Sequence, residues 1–152
     1  MDSKLKKPSR KTNQKSGRKY DSSVALLQGA GLRPTKQRLA LAKWLFDGCD
    51  KHVTVEQVHA AVVKMRMAVS LATIYNTLNN FTEAGLLRQV VIDGGQIYFD
   101  TNTGDHHHLF DESSRNLTDI PALSIRLAHM PKIPLGKSLS RIDVVVRVHS
   151  GK

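Results

Sequence analysis

Three consecutive histidines are the residues of this 152-residue sequence whose type and spacing most directly suggest chemistry. In an extended strand alternate side chains share a face, so His106 and His108 are predicted to point one way and His107 the other. Two imidazoles on one face, with carboxylates nearby, suit a borderline metal such as Zn, Fe or Mn, and imidazole is equally a usual axial ligand of haem iron. The sequence alone leaves both ligands open. The flanking carboxylates are Asp100, Asp105, Asp111 and Glu112.

No motif typical of an enzyme accompanies the histidines. The sequence contains no glycine-rich phosphate loop, no Gly-x-Ser-x-Gly elbow and no His-Glu-x-x-His pattern. We therefore predict that the protein is not an enzyme. A metal-dependent hydrolase or a haem-binding carrier remains the alternative from another functional class. The single Cys49 excludes a disulfide within the chain and a multi-cysteine zinc site.

The net charge of +10 is unevenly distributed along the chain. Residues 1–22 carry +6, residues 23–92 carry +4, and residues 93–152 are neutral. A surplus of this size favours a polyanionic partner such as nucleic acid. Because residues 1–22 contain few large apolar side chains, they are predicted to form a disordered arm that contacts phosphates without reading sequence. No apolar run approaches the ~20 residues of a membrane span and no secretory signal is recognisable, so we expect a cytoplasmic protein.

The elements that must position these residues begin with four short helices. Capping residues, helical spacing of apolar side chains and stop glycines mark them. The first is predicted between Ser22-Ser23 and Gly29, the second from Pro34 to about Phe46, the third after the capping-box pattern Thr54-Val55-Glu56-Gln57, and the fourth over Leu71–Ala84 after Ser70.

A hairpin is predicted directly after the fourth helix. Leu86–Ile92 and Gln96–Asp100 are rich in β-forming residues and flank Asp93-Gly94-Gly95, which is typical hairpin-turn chemistry. Helices followed by a hairpin are the order of a winged helix, in which the last helix enters the major groove of DNA.

The polar, nearly uncharged face of the fourth helix suits base reading. Asn pairs with adenine, and Tyr or Thr contacts a thymine methyl, so Tyr75 and Asn76 are predicted to read bases. Arg33, beside the Gly31-Leu32 turn, is predicted to reach the minor groove, and Arg38 to hold a phosphate. The full predicted DNA-binding set is Arg33, Lys36, Arg38, Ser70, Ala72, Thr73, Tyr75 and Asn76.

Four stretches of the chain together resemble the ferric uptake regulator superfamily. They are Gly31-Leu32-Arg33-Pro34-Thr35, His52-Val53-Thr54, the LATIYNTL segment at 71–78, and Asp105-His106-His107-His108-Leu109. The resemblance implies an α+β fold, with an N-terminal winged helix followed by a small α/β dimerisation domain. It also implies a homodimer that binds a double-stranded DNA operator.

The same resemblance implies a division of the chain into domains. Residues 1–22 would be the basic arm, 23–100 the winged-helix DNA-binding domain, and 101–152 the dimerisation and sensing domain. In the last of these, Leu109-Phe110 is predicted as a strand, Pro121–His129 as a helix, and Ile142–Val148 as a strand able to pair across a two-fold axis.

Two candidate ligand sites follow from the resemblance. The family's sensing site would consist of His52, Asp100, His108 and Asp119, with Asp where relatives usually have Glu. The Cys-x-x-Cys zinc motif of most relatives is replaced here by Asp111-Glu112-Ser113-Ser114. A histidine run without zinc cysteines resembles the iron response regulators of α-proteobacteria, so haem at His106, His107 and His108 is the implied cofactor.

The sequence therefore predicts a haem-responsive transcription regulator of iron and haem metabolism genes, whose DNA binding is weakened by haem. The first alternative keeps the regulator but has it sense Fe, Mn or Zn ions directly at the four-residue site. The hydrolase or carrier is the second alternative.

Overall fold

A computed structural model describes residues 17–151. The chain divides into two compact units, one ending at Cys49 and one beginning at Asp50. Residues 1–16 of the predicted basic arm lie outside the described residues. Among the described residues, no helix is both long and apolar enough to cross a membrane.

The first unit contains two helices that pack against each other, α1 (Gly17–Gly29) and α2 (Lys36–Leu45). Helix α1 ends at the predicted glycine but begins at Gly17, before the predicted start at Ser22-Ser23. The prediction that residues 1–22 form a disordered arm is therefore wrong for residues 17–22. Once a helical turn has formed, each added residue gains a backbone hydrogen bond, so a helix extends beyond its first strong cap. The buried side chains of this unit include Leu27, Leu41, Ala42 and Leu45.

Helix α2 begins after Thr35 rather than at Pro34. The Thr35 hydroxyl accepts the backbone N–H of Arg38 at 3.3 Å and so satisfies one of the unpaired donors of the first turn. Pro34 therefore lies outside the helix, in the turn that precedes it.

The second unit opens with strand β1 (His52–Val53) and helices α3 (Val55–Lys64) and α4 (Leu71–Glu83). The predicted capping box is present: Thr54 Oγ1 accepts the N–H of Gln57 at 3.3 Å, and Gln57 Oε1 accepts the N–H of Thr54 at 3.0 Å. Helices α3 and α4 pack together and bury Val58, Val62, Ile74, Leu78 and Phe81.

The predicted hairpin is confirmed, with strands β2 (Arg88–Val91) and β3 (Ile97–Asp100). Strand β1 pairs antiparallel with the other edge of β3, giving a first sheet of order β1-β3-β2. The turn needs glycine because Gly94 and Gly95 have φ of 65° and 80°. This register places His52 directly opposite Asp100.

A second sheet contains β4 (His106–Asp111), β5 (Asn116–Pro121) and β6 (Val145–Val148) in the order β5-β4-β6. Strand β4 includes the predicted Leu109-Phe110 strand, pairs antiparallel with β5 and pairs parallel with β6. The register places His108 opposite Asp119. Helices followed by two sheets confirm the predicted α+β class.

The helix predicted over Pro121–His129 is wrong. Strand β5 extends to Pro121, whose register partner is His106, and only a single 3₁₀ turn, Ala122–Ser124, follows. Pairing with β4 fixes the backbone as far as Pro121, and there it overrides the local helical pattern. Of the described residues, 125–144 form neither helix nor strand.

The predicted strand Ile142–Val148 is shorter than expected. Only Val145–Val148 is extended, and it pairs with β4 of the same chain. Because β6 is the edge of this sheet, its other side is open for pairing, and pairing across a two-fold axis stays a prediction.

The two sheets share one apolar cluster. Val90, Ile92 and Tyr98 of the hairpin pack with Phe110 and Leu117 of the second sheet, and all five are buried. The Tyr98 hydroxyl donates to the carbonyl of Arg115 at 2.9 Å, so the ring crosses the cluster with its polar end satisfied. The core is therefore continuous across residue 100, where the sequence places a domain boundary.

Candidate metal centre and nucleic-acid interface

Five side chains converge where the two sheets meet. His52 and Asp100 come from the first sheet, because β1 and β3 are paired at these positions. The second sheet supplies the other three, His106 and His108 from alternate positions of β4 and Asp119 from β5. One donor atom from each lies within 4.8 Å of all the others. His108 and Asp100 are fully buried, whereas Asp119 is 28% exposed and forms the solvent side of the cluster.

The carboxylate oxygens are the centres around which the imidazoles gather. Asp100 Oδ2 lies 2.8 Å from His106 Nε2, 3.0 Å from His108 Nε2 and 3.3 Å from His52 Nε2. Asp119 Oδ1 lies 2.7, 3.2 and 3.7 Å from the Nε2 atoms of His52, His106 and His108 respectively. All three imidazoles therefore present the same ring nitrogen to the cluster.

These separations fit a shared cation. Two N or O donors, each about 2.0–2.2 Å from one ion and at roughly tetrahedral or right angles, lie about 3 Å apart. A set of three imidazole nitrogens and two carboxylate oxygens suits Zn, Fe or Mn.

The hydrogen bonding of His106 supports the same interpretation. Its Nδ1 lies 2.8 Å from the carbonyl oxygen of Gly104, an acceptor, so Nδ1 carries the proton and neutral His106 presents a lone pair at Nε2. That lone pair faces Asp100 Oδ2 at 2.8 Å, an arrangement that is favourable only with a proton or a metal cation between the two atoms. His52 Nε2 is buried and has no partner of hydrogen-bond geometry among the described residues, despite its short contact with Asp119.

The electrostatics of the cluster favour a cation. Burial alone would raise the pKa of Asp100, but the neighbouring His108 and His52 imidazoles and the hydrogen bond from the Asn102 N–H outweigh it and hold that pKa below its usual range. Burial likewise opposes charge on His52, yet Asp100 and Asp119 raise its pKa overall. Without a metal the cluster therefore holds an ionised Asp100 and draws protons to His52.

The structure brings the four predicted metal ligands, His52, Asp100, His108 and Asp119, into one cluster and adds His106, which the four-residue set implied by the family resemblance leaves out. The alternation of side chains along β4 already placed His106 and His108 on one face and could have identified it.

The third histidine lies on the opposite face of β4. His107 Nδ1 accepts the backbone N–H of Val144 at 3.3 Å and takes no part in the cluster. Beside it is a cavity of about 530 Å³, lined in part by Leu127, Met130, Leu139 and Arg141. The three predicted haem ligands, His106, His107 and His108, therefore do not share one face.

In the second unit, the predicted base-reading residues lie on the first turns of α4. Tyr75 is 41% exposed, and Ser70, Ala72 and Asn76 are also exposed. The Ser70 hydroxyl accepts the N–H of Thr73 at 3.1 Å, so Ser70 also caps the helix. A groove of about 760 Å³ separates this end of α4 from the Gly94-Gly95 turn of the hairpin.

In the first unit, the predicted phosphate contacts surround the start of α2. Arg33 and Lys36 are exposed, and Arg38 is half-buried. Arg38 Nη1 donates to the carbonyl of Arg33 at 3.0 Å, so Arg38 also stabilises the turn that presents Arg33. Cations at the start of a helix, where backbone N–H groups are unpaired, suit phosphate oxygens.

Comparison with known proteins gives one consistent family. A sequence profile of the ferric uptake regulator family matches residues 29–130. The peroxide-responsive repressor PerR of Staphylococcus epidermidis is 31% identical over 99 residues, which are 65% of this chain and 65% of that protein. The chain thus spans just under two thirds of the length of this curated relative.

Solved structures show the same fold. The Vibrio cholerae ferric uptake regulator (Fur) superposes with a TM-score of 0.66 at 20% identity, covering 84% of this chain and 98% of that chain. A zinc-bound manganese uptake regulator superposes with a TM-score of 0.63 at 26% identity, covering 83% and 96% of the two chains.

Proposed function

Because the chain belongs to the ferric uptake regulator family, we propose that it is a metal-responsive transcription regulator that binds operator DNA as a homodimer in the cytoplasm. The proposal rests on one observation, the convergence of three imidazole nitrogens and two carboxylate oxygens at the junction of the two sheets. Fe, Mn and Zn are the candidate ions. The matching regulators named above support this assignment.

A divalent cation held there would neutralise two carboxylates and link the two sheets. His52 and Asp100 hold the first sheet, whose hairpin is the wing beside the base-reading helix. His106, His108 and Asp119 hold the second sheet. Since ligands on both sheets must converge, occupancy of the site favours one relative position of the wing and the second sheet over others.

The donor set favours a sensor over a hydrolytic enzyme. Catalytic zinc sites have three protein ligands and an open position for water or substrate, whereas here five protein donor atoms lie within 4.8 Å of one another. Four of the five side chains are at most 10% exposed. The functional conclusion is therefore regulation rather than catalysis.

The experiment is DNA binding measured against metal concentration. Duplexes selected by the wild-type protein from a random pool in the presence of Mn²⁺ serve as the probe, and Mn²⁺, Fe²⁺ or Zn²⁺ is titrated in a mobility-shift assay. We expect metal-dependent binding in the wild type and loss of the metal dependence in His108→Ala. His107→Ala is the matched control, because His107 lies on the same strand but faces away from the cluster.

Wild-type DNA binding that is the same with each of the three ions and with a chelator would contradict the proposal. So would an equal loss of response in His107→Ala and His108→Ala.

A second candidate keeps the regulator but adds haem as the signal, as in the iron response regulators. The supporting observation is the apolar cavity of about 530 Å³ beside His107, a volume within the range of ligand pockets. Met130 lines the same cavity, and Arg141 places a cation there for an anionic substituent. His106 and His108 are buried in the metal cluster, so this candidate depends on His107 alone.

Absorbance titration with haemin tests it. A Soret shift that His107→Ala abolishes and His108→Ala retains, together with weaker DNA binding in the presence of haemin, is the expected result. A Soret shift that depends on His106 and His108 instead would require the metal cluster to open and would contradict this placement.

A further inference from the structure

A buried guanidinium lies directly behind the metal cluster. Arg88, the first residue of β2, is 7% exposed, because the alternation of this strand turns it inward with Val90. Its Nη1 donates to the carbonyl of Gly104 at 3.2 Å and lies 3.4 Å from Nδ1 of His106. A charged side chain this buried requires partners. One of them, the Gly104 carbonyl, also accepts a hydrogen bond from His106 of the candidate metal site.

The other end of the guanidinium points away from the site. Nη2 of Arg88 pairs with Oδ1 of Asp143, which is 52% exposed and lies two residues before the start of β6. The same oxygen is 2.9 Å from Nε of Arg141, a surface residue. Asp143 thus joins one buried and one exposed arginine, and only Arg88 also reaches the cluster.

The Gly104 carbonyl completes the connection. It accepts a hydrogen bond from Arg88 and another from His106 Nδ1, at 2.8 Å, and the second bond fixes which nitrogen His106 presents to the cluster. Partners behind a metal-binding imidazole set its orientation and its basicity. An unbroken series of polar contacts therefore runs from His106 through Gly104 and Arg88 to Asp143.

Val144, which follows Asp143, forms two further hydrogen bonds with β4, the strand that carries His106 and His108. The N–H of His108 donates to the carbonyl of Val144 at 3.0 Å, and the N–H of Val144 donates to His107 at 3.3 Å. Strand β6 then pairs with β4 and forms the edge of the second sheet. Its position therefore depends on contacts with the strand that carries the ligands.

Given the proposed metal site, on which this inference rests, we propose that Arg88 is a positioning residue that couples metal occupancy to the order of the edge strand β6. A metal ion bound to His106 would hold this ring in one orientation and so strengthen its hydrogen bond to the Gly104 carbonyl. The Gly104 carbonyl also accepts from Arg88, and Arg88 pairs with Asp143. Metal bound at the cluster should then stabilise residues 145–148, which contribute no ligand.

The test uses the full chain, Mn²⁺ as the probe, and two readouts, equilibrium Mn²⁺ binding and amide hydrogen exchange of residues 145–148 with and without Mn²⁺. Arg88→Met removes the hydrogen-bond donors, and Arg88→Lys keeps the positive charge without the planar guanidinium that reaches two partners at once. Asp143→Asn removes the negative charge that pairs with Arg88. Arg141→Met is the matched control, because it removes a cation from Asp143 without touching the cluster.

Mn²⁺ is expected to protect the β6 amides in the wild type and in Arg141→Met. Asp143→Asn should keep near-normal Mn²⁺ affinity but lose the Mn²⁺-dependent protection. Arg88→Met should lose the protection at saturating Mn²⁺ and also bind Mn²⁺ about 10–100-fold more weakly, the usual effect of removing a partner behind a ligand. Arg88→Lys should lose the protection, since one ammonium cannot hold Gly104 and Asp143 with fork geometry.

If Mn²⁺ protected the β6 amides of Asp143→Asn from exchange as strongly as those of the wild type, the inference would be overturned. Because Asp143 is half-exposed, this variant tests the coupling even if Arg88→Met does not fold. Mn²⁺ binding without any protection of β6 in the wild type would also overturn the inference while leaving the metal site intact. A wild type that binds no Mn²⁺ at all would defeat the proposed site and this inference together.

Discussion

His106 and His108 bring their Nε2 atoms to 3.0 Å from each other on the inward face of β4. Nδ1 of His106 donates to the Gly104 carbonyl, so Nε2 of the neutral ring turns a lone pair toward His108. Asp100 Oδ2 lies within 3.0 Å of both nitrogens. A metal cation and protons therefore compete for the same lone pairs.

Metal affinity should consequently fall as the pH falls. Asp100 and Asp119 raise the pKa of His52, so His52 loses its proton at a higher pH than an ordinary histidine does, whereas Asp100, with a lowered pKa, stays ionised. Lowering the pH from about 8 to about 6 should weaken Mn²⁺ binding, with proton uptake on Mn²⁺ release. Calorimetry in buffers of different ionisation enthalpy measures the protons exchanged.

The metal-free protein should respond in the opposite sense. A raised histidine pKa contributes stability below the unfolded value of about 6.5, and that contribution is lost as the pH rises through the folded pKa. Asp100→Asn should remove most of this pH dependence, as seen in urea unfolding with a chelator present. Asp111→Asn is the control, since Asp111 lies outside the cluster; a similar change there would contradict the assignment.

The shared core between the sheets predicts a large loss of stability in Phe110→Ala. The Phe110 ring is fully buried, lies 6.2 Å from the Tyr98 ring, and has the guanidinium groups of Arg115 and Arg147 at 5.4 and 5.7 Å from its centroid. Truncation should cost about 3–5 kcal/mol in the free energy of unfolding. Leu123→Ala, at a position 93% exposed, should change the free energy of unfolding by less than about 0.5 kcal/mol. If Phe110→Ala also lowered the free energy of unfolding by no more than that amount, Phe110 would not be a core residue.

Base reading and phosphate binding should separate by mutation. Asn76→Ala and Tyr75→Ala, on the exposed face of α4, should reduce discrimination between selected and scrambled duplexes by about 1–3 kcal/mol with little change in salt dependence. Lys36→Ala should weaken binding to both duplexes alike. It should also reduce the magnitude of the slope of log binding constant against log salt concentration by about 0.9. Fluorescence anisotropy over a series of salt concentrations measures both effects, and a uniform loss in Asn76→Ala would argue against base reading.

The basic arm should supply affinity without specificity. Residues 1–16 carry +5, and a deletion there leaves α1, which begins at Gly17, complete. We expect a flatter salt dependence of DNA binding with unchanged preference among duplexes. Replacing the six basic residues of this stretch by Gln in the full-length chain should have the same effect, whereas lost preference in either variant would give the arm a reading role.

Local chemistry made much of the fold predictable. The hydroxyls of Thr54 and Ser70 cap α3 and α4 as expected, because a capping side chain acts within its own turn. Gly94 and Gly95 form the hairpin turn because their positive φ values exclude most other residues. The alternation of side chains along β4 placed His106 and His108 together on simple strand geometry.

Contacts between distant residues were not predictable in the same way. The pattern at Pro121–His129 is locally helical, but pairing of β5 with β4 decides the backbone as far as Pro121. His106 joins the cluster of candidate metal ligands only because the registers of two sheets place His52 and Asp119 beside it. No local pattern encodes such registers, since burial and backbone pairing over the whole second unit set them.

The sequence by itself determined the order of helices and hairpin, the polar face of α4, and which residue types could hold a metal. Each of these depends on neighbours within a few positions. Only the tertiary structure decided that His107 is separated from His106 and His108, and that Arg88 lies between the candidate metal ligands and Asp143. Those relations join residues up to 55 positions apart, and packing of the two sheets is the physical reason that they exist.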